Sequence, residues 1–287
     1  MPAAYFADTR FVKLRHISCI AQPTAWPGIS RRLIEQARMA RGIGLDLEFV
    51  VLASEPCNIP GVRCVTMLPL ERYTRCQAIL RTGLLDGCEA AILRYPTSLD
   101  LMIDPLLDRH GRRMISEHHT NEVAELRLVG SRLGGALRSF IEARRKRTFL
   151  SRLAGIVAVT EELRRLQGEV VPGLPSTVIG NGIDTDAQPM HGPARLGAGP
   201  LRLLWACSEF APWQGLDRLL TALTARRGGP KVELVLAGRL TAMQCLEIER
   251  ASGERLAVHR VGVVGQDGLD RLLRSACLLY TSPSPRD

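Results

Sequence analysis

Short apolar runs alternate along this chain with stretches whose apolar residues recur every three or four positions. The first pattern predicts buried strands and the second predicts helices packed by one face. Strands are expected at Phe11 to Ile20, Leu47 to Leu52, Val62 to Thr66, Ala90 to Leu93, Arg113 to Ser116 and Ile156 to Thr160. Between them, Ser30 is placed to cap a helix carrying Leu33, Ile34 and Ala37 on one face, and Gly42-Ile-Gly44 stops it. Further helices are expected at Arg75 to Leu85, Leu99 to Asp108, Leu133 to Leu153 and Glu161 to Gln167. Strands alternating with helices predict a parallel sheet covered on both faces.

A junction then interrupts the alternation. Thr177-Val178-Ile179 reads as a strand, Gly180-Asn181-Gly182 as a tight turn that tolerates positive φ, and Ala187 to Pro200 as a Pro-, Gly- and Ala-rich linker. Beyond it the pattern restarts: strands Leu201 to Ala206, Lys231 to Ala237 and Ala257 to Val261, with helices Gly215 to Ala225, Ala242 to Ala251 and Gln266 to Arg274. Two α/β units are therefore expected: residues 1–185, a linker at 186–200, and a second unit at 201–276. The second unit has fewer residues than a doubly wound domain needs, so it is expected to be incomplete. Residues 277–287, ending Thr281-Ser-Pro-Ser-Pro-Arg-Asp287, are similar to a translated sequencing adapter and are expected to be foreign to the protein.

Composition changes this picture little. At 287 residues and 46% hydrophobic, the chain can bury a sizeable core. Its formal net charge of +9 suits a phosphorylated substrate, nucleic acid or anionic lipid, or an Arg-rich proteome. Eight cysteines without a C-x-x-C pair point to a reducing compartment. No apolar run reaches the ~18–20 residues of a membrane span, and no secretory leader is legible. A cytoplasmic location is expected.

Candidate chemistry concentrates in Glu117-His-His-Thr-Asn-Glu122, which follows an expected strand. The carboxyl end of a parallel strand is where α/β proteins place ligands. His118 or His119 suits sugar hydroxyls or a proton shuttle, and Glu122 suits orienting the imidazole or accepting from a hydroxyl. A metal site has too few ligands here, and a plain polar loop with Thr120 as a helix cap is the competing reading. Gly28, between the first strand and its helix, lets backbone approach a phosphate or sugar, or is an ordinary loop glycine. Arg138, Arg144, Arg145, Lys146 and Arg147, with Leu137, Phe140, Ile141 and Phe149, form a basic amphipathic stretch. It reads either as a core-facing helix with a solvated basic face or as a helix lying on an anionic membrane.

Three segments carry a family resemblance. Leu153-Ala-Gly-Ile-Val-Ala-Val-Thr-Glu-Glu-Leu163, Val178-Ile-Gly-Asn-Gly-Ile-Asp184 and Leu203-Leu-Trp-Ala-Cys-Ser-Glu-Phe-Ala-Pro-Trp-Gln-Gly-Leu-Asp-Arg-Leu-Leu220 together resemble glycosyltransferase family 4, of the GT-B fold. Leu234-Val-Leu-Ala-Gly238 and His259-Arg-Val-Gly-Val-Val264 are similar to the family's later strands. The resemblance implies a GT-B-like α/β fold of two Rossmann-like domains. It implies transfer of a hexose from a nucleotide sugar to a glycan or lipid-linked acceptor, with retention at the anomeric carbon and no obligatory metal or other cofactor. Peripheral membrane contact fits such acceptors, and nucleic acid is not an expected partner. From their place after an expected parallel strand, His118, His119 and Glu122 are candidate catalytic residues facing an interdomain gap near Gly28. By the family likeness Asn181, Gly182 and Asp184 belong to the crossover turn, and Trp213, Gln214, Gly215 and Arg218 begin the helix that meets the donor diphosphate. The sequence departs from the family at Glu209 and Gln214, where cations that meet the diphosphate are common; Arg218, one turn into the helix, is the candidate replacement. The family's paired donor-binding glutamates have no match here, so the chain as given is expected to be inactive. A non-catalytic two-domain binding protein and a nucleotide-sugar epimerase of the same fold are the alternatives.

Overall fold

The computed structural model describes residues 13–20, 23, 27–71, 74–96, 103–128, 131–182, 199–210 and 214–279. It divides into two units, Met1–Ile183 and Asp184–Asp287. Asp184, Trp213, most of the expected linker and residues 280–287 of the expected tail lie outside the described residues.

The first unit is a parallel sheet of seven strands: β1 (Leu14–Cys19), β2 (Leu47–Ala53), β3 (Arg63–Thr66), β4 (Ala90–Arg94), β5 (Met114–His118), β6 (Gly155–Ala158) and β7 (Ser176–Val178). Their order is β3-β2-β1-β4-β5-β6-β7. The chain winds outward from β1 on one side, then returns and winds outward from β4 on the other. The strand order therefore reverses between β1 and β4, and the loops leaving their carboxyl ends part there. Each strand is nearly all apolar because helices cover both faces. Helix α1 (Pro27–Gly42) packs Leu33, Ala37 and Ala40 on Phe49 and Val51. The opposite face packs Ile17, Leu93 and Ile156 under α2 (Arg75–Arg81), α3 (Ile103–His110) and Phe149 of α5 (Arg132–Leu150).

Boundaries differ from the sequence reading for local reasons. Helix α1 begins at Pro27, whose fixed φ and missing N–H suit a first helical position. Ser30 is therefore inside the helix rather than capping it, and its hydroxyl donates to the Pro23 carbonyl at 3.1 Å. Helix α2 stops at Arg81, short of Leu85, because the chain turns through Gly83 at φ 60°. A helix the periodicity missed, α4 (Glu122–Leu128), follows β5; Asn121, not Thr120, caps it by accepting from the Ala124 N–H at 3.2 Å.

Helix α5 is amphipathic in the reverse sense. Ser139, Glu142 and Lys146 are buried, whereas Leu133, Leu137 and Phe140 are 87%, 60% and 67% exposed. Of the residues expected on its apolar face, Phe149 is in the core and Leu137 and Phe140 are not. The core-facing reading of that stretch is corrected on this point.

The second unit is a parallel sheet in the order β10-β9-β8-β11, made of β8 (Leu201–Glu209), β9 (Val232–Arg239), β10 (Leu256–Gly262) and β11 (Leu278–Leu279). Its order also reverses, between β8 and β11, where Leu278 and Leu279 pair with Leu203 and Leu204. Helices α7 (Leu216–Ala225) and α8 (Ala242–Ala251) cover a core centred on Trp205, Leu234 and Leu236. Helix α9 (Gln266–Ser275) covers the other face at Leu204 and Val235. In the first unit, α6 (Glu161–Val170) lies between β6 and β7, capped by Thr160.

Gly238 fixes how β9 leaves the second sheet. Strand β8 is irregular between Ala206 and Glu209, and this brings the Cys207 carbonyl against Gly238 at φ 150°. A Cβ there would fall on that oxygen. Gly238→Ala should therefore destabilise the second unit by about 2–4 kcal/mol, combining backbone strain with a clash that backbone cannot avoid cheaply. Denaturant unfolding followed through the buried Trp205 measures this, and an unchanged midpoint would mean that the two strands separate without cost.

Candidate functional site

Strand pleating decides the geometry at the end of β5. Successive side chains point to opposite faces, and parallel neighbours in register share a face. Ile17, Leu93 and Ser116 lie in register, as do Arg94 and Glu117 one position on. His118 therefore shares the face of Ser116, while His119 continues the face of Glu117. The two candidate imidazoles, adjacent in sequence, are separated by the sheet.

On the first face His118 is wholly buried. Its Nδ1 lies 2.9 Å from Glu122 Oε1 and its Nε2 3.0 Å from Ser116 Oγ. Lys146 Nζ donates to Glu122 Oε2 at 2.6 Å. Tyr95 stacks on His118 with centroids 4.8 Å apart and donates its hydroxyl to Glu142 at 2.5 Å. Burial lowers the His118 pKa, only partly opposed by Glu122, so the ring is neutral near pH 7. An ionised Glu122 only accepts, so Nδ1–H donates to it and Nε2 accepts from Ser116. Burial alone would raise the Glu122 carboxyl; hydrogen bonds from His118 and Lys146 overcome it and bring the pKa to about 2. Glu122 orients an imidazole as expected, but the pair sits inside the protein and not at a surface a substrate reaches.

On the other face Glu117 Oε2 lies 3.0 Å from both His16 Nε2 and His119 Nε2. Burial opposes its charge, but these two donors hold the carboxyl well below the usual carboxylate range. His119 thus donates Nε2–H to Glu117, leaving Nδ1 as an acceptor. Arg32 of α1 supplies the donor: its Nη1 is 3.0 Å from Nδ1 and 3.4 Å from Asn181 Oδ1. Its Nη2 lies 3.1 Å from Nε2, so the guanidinium spans the ring. Burial, with Arg32 and Arg94 nearby, lowers the His119 pKa against the pull of Glu117. His119 is a neutral imidazole held between a carboxylate and a guanidinium.

These contacts join α1, β1, β5 and the turn after β7 at the point where the strand order reverses. Asn181 belongs to this cluster, and Gly28 lies in the first turn of α1, upstream of Arg32. Gly182 has open space around its Cα and makes no close approach. Arg32, Arg94 and His16 were not singled out from sequence, and Glu117 only as the first residue of the Glu117–Glu122 run. Arg32 and His16 each follow an arginine inside elements read from their apolar residues, Arg94 follows an apolar run, and only the register brings them together.

In the second unit, Gly215 caps α7 at φ 76°, and Gln214 sits in the turn before it, past the carboxyl end of β8. Arg218, exposed on the first turn, folds its guanidinium back against Gly215, where a Cβ would meet Nε at 2.9 Å. Gln214, Gly215 and Arg218 are therefore local neighbours past the carboxyl end of β8, where the strand order reverses only through Leu278 and Leu279 of the expected tail. Among the described residues, no group of three or more His, Cys, Asp or Glu side chains is placed to hold a metal ion, and no helix is long and apolar enough to cross a membrane.

No protein-family model matches the chain, and no curated protein matches it. Solved structures share its fold. A lipopolysaccharide outer core galactosyltransferase, WaaB, aligns at TM-score 0.58 and 9% identity, covering 93% of this chain and 73% of that one. A glycosyltransferase from Rickettsia africae aligns at TM-score 0.56 and 11% identity, over 94% and 73%. Anabaena HepE, in complex with UDP-glucose, aligns at TM-score 0.56 and 14% identity, over 94% and 75%. The fold is thus GT-B-like α/β, with two Rossmann-like units.

The buried His118–Glu122–Lys146 set makes stability depend on pH. The folded pKa of His118 is depressed, so the unfolded chain takes the proton first; stability present above about 6.5 is lost as pH falls through that value. The folded pKa of Glu122 is also depressed, so its contribution is full above about 4.3 and is lost toward pH 2. Lys146→Met strands a buried carboxylate and should cost about 3–5 kcal/mol at pH 7. Near pH 4 the variant's Glu122 takes a proton, and the deficit should shrink. Denaturant unfolding at both pH values checks this; an equal deficit at the two would mean that packing, not charge, is lost.

Proposed function

We propose that the chain is a glycosyltransferase that moves a hexose from a nucleotide sugar to a glycan or lipid-linked acceptor, with retention at the anomeric carbon. The observation that carries this reading is the placement of polar groups just beyond the carboxyl ends of parallel strands: Arg32, His119 and Asn181 where the strand order of the first sheet reverses, and Gln214 and Arg218 past the end of β8 in the second. The GT-B-like fold, and UDP-glucose in the HepE complex, favour a nucleotide sugar over other ligands. In this reading the second unit takes the donor. The bond from the anomeric carbon to the diphosphate oxygen breaks, and a bond to the acceptor oxygen forms on the same face. The acceptor proton leaves with the departing diphosphate. Arg218 and the first N–H groups of α7 meet the charge that develops there, needing no metal or other cofactor. The first unit takes the acceptor. His119, neutral and fixed by Glu117 and Arg32, positions a sugar hydroxyl, while His118 and Glu122 act through the end of β5 that they hold.

Arg218 is exposed, so its loss should spare the fold. Arg218→Met should lower kcat/KM for the nucleotide sugar about 10–100-fold, as expected for a lost charge-assisted contact to a phosphate. Because the chain as given has no match to the paired donor-binding glutamates, product formation from UDP-, GDP- and ADP-hexoses is measured on the chain extended by a segment that supplies them. A variant equal to the extended wild type removes Arg218 from the donor site, and an extended chain that turns over none of these donors rejects the transferase reading.

We infer further that a lipid-linked acceptor reaches the protein along α5. Leu133, Leu137, Phe140, Arg144 and Arg147 follow one another at three- and four-residue spacing on its outward face, apolar first and basic after. Apolar side chains with adjacent arginines suit the boundary of an anionic bilayer. Leu137→Ser with Phe140→Ser should weaken sedimentation with phosphatidylglycerol vesicles about tenfold or more, since both buried areas are lost. Unchanged binding would take α5 out of any membrane contact.

A further inference from the structure

Arg94, the last residue of β4, makes no hydrogen bond and no ion pair with any described residue, and its Nη1 is buried. Leaving a buried donor unmet is costly, and more so for a charged group. Arg94 is not isolated in this. On the same face of the sheet, Arg32 Nε, His16 Nδ1 and Ser18 Oγ are also buried without a partner, as is Gln36 Oε1 one turn along α1 from Arg32. Neither arginine has a described carboxylate within ion-pairing distance. Glu117 lies near enough to Arg94 to favour its charge, but its Oε2 is already taken by two imidazoles. Arg32 lies near enough to oppose that charge. Glu122 is held by His118 and Lys146 on the opposite face, and Glu125, the other carboxylate near Arg94, is held by Thr120 at 3.2 Å.

Two guanidiniums that repel, with donors left over, at the carboxyl ends of the strands where the order reverses, describe a site short of one acceptor-rich group. We propose that Arg94 and Arg32 form an oxyanion subsite, which takes the phosphate or carboxylate of an acidic sugar acceptor. A phosphate or carboxylate brings several lone pairs to a planar fork of N–H donors, and an arginine fork matches either one bidentately. His119 and Asn181, already on Arg32, then lie beside the sugar that carries the anion. Assigning this ligand to the acceptor rests on the transferase reading; the anion preference itself does not.

Calorimetry on the full chain, with no nucleotide sugar present, tests the subsite with glucuronate, glucose 1-phosphate and glucose. At least one of the two acidic sugars should bind, and glucose should bind at least about tenfold more weakly. Glucuronate alone would make the ligand a carboxylate, and glucose 1-phosphate alone a phosphate. Arg94→Met should weaken the acidic sugar at least about tenfold and raise the melting temperature of the unliganded chain, because it removes an unpaired buried charge. Arg94→Lys, which keeps the charge and loses the fork, should fall between. The proposal is overturned if neither acidic sugar binds, if glucose binds as well as they do, if Arg94→Met binds like wild type, or if that variant melts lower without ligand. If acidic sugars bind through Arg94 but the chain extended with the donor-binding glutamates turns over no donor, this subsite stands and the transferase reading falls. If the extended chain turns over donors but no acidic sugar binds, the subsite alone falls.

Discussion

The pleat of β5 governs the first unit. Consecutive side chains of a strand cannot share a face. Glu117 and His119 must therefore point one way, and Ser116 and His118 the other. On one side, α4 and α5 close over His118 with charges of their own, so that Glu122, Lys146, Tyr95 and Glu142 complete one buried network. On the other side, among the described residues, α1 and the turn after β7 approach, and their side chains leave donors unanswered. The same backbone rule thus builds a sealed structural core and an unfinished polar site one residue apart. It also explains why β5 carries so many polar residues while remaining a central strand: each finds a partner from a different layer.

How much of this the sequence could say follows from which force shaped each part. The strands and most helices were legible because apolar burial forms them and burial leaves a period. The stop at Gly44 was legible because positive φ favours glycine, whereas Gly180 and Gly182, read in the same way, do not take positive φ. Helix α4 was not, since its buried residue is Glu122 rather than an apolar side chain. The inward face of α5 was misjudged for the same reason: a stripe of Ser139, Glu142 and Lys146 looks solvated until Glu122 and Tyr95 are placed beside it. His118 and His119 read as one dense cluster, because spacing along the chain does not record which side of a sheet a residue faces. Arg94 was invisible, because a lone charge after an apolar run looks like the end of a strand.

The two polar sets differ in what their charges are for. Around Glu122 every formal charge is answered, and such an arrangement favours one geometry of α4 on α5 over sliding alternatives; its cost is the desolvation of Glu122 and Lys146. Around Arg94 the charges are not answered by any described residue, and the described fold carries that deficit. Helix caps, a large apolar core and the long parallel sheet stabilise enough to tolerate it. Unmet polar groups of this sort are rare in folded proteins and concentrate where a ligand supplies what is missing.

Along its middle, helix α5 is held by directed bonds of Glu142 with Tyr95 and of Lys146 with Glu122 of α4, while apolar burial through Phe149 and Leu150 is confined to its last turn. Its inner and outer faces are therefore under separate selection. Substitutions at Leu133, Leu137 or Phe140 leave the anchoring bonds untouched, so the outward stripe is free to diverge between related chains while the helix keeps its seat. A change at Lys146, by contrast, has to be matched at Glu122. Drift on the outside and paired replacement on the inside are the evolutionary signature this helix should leave.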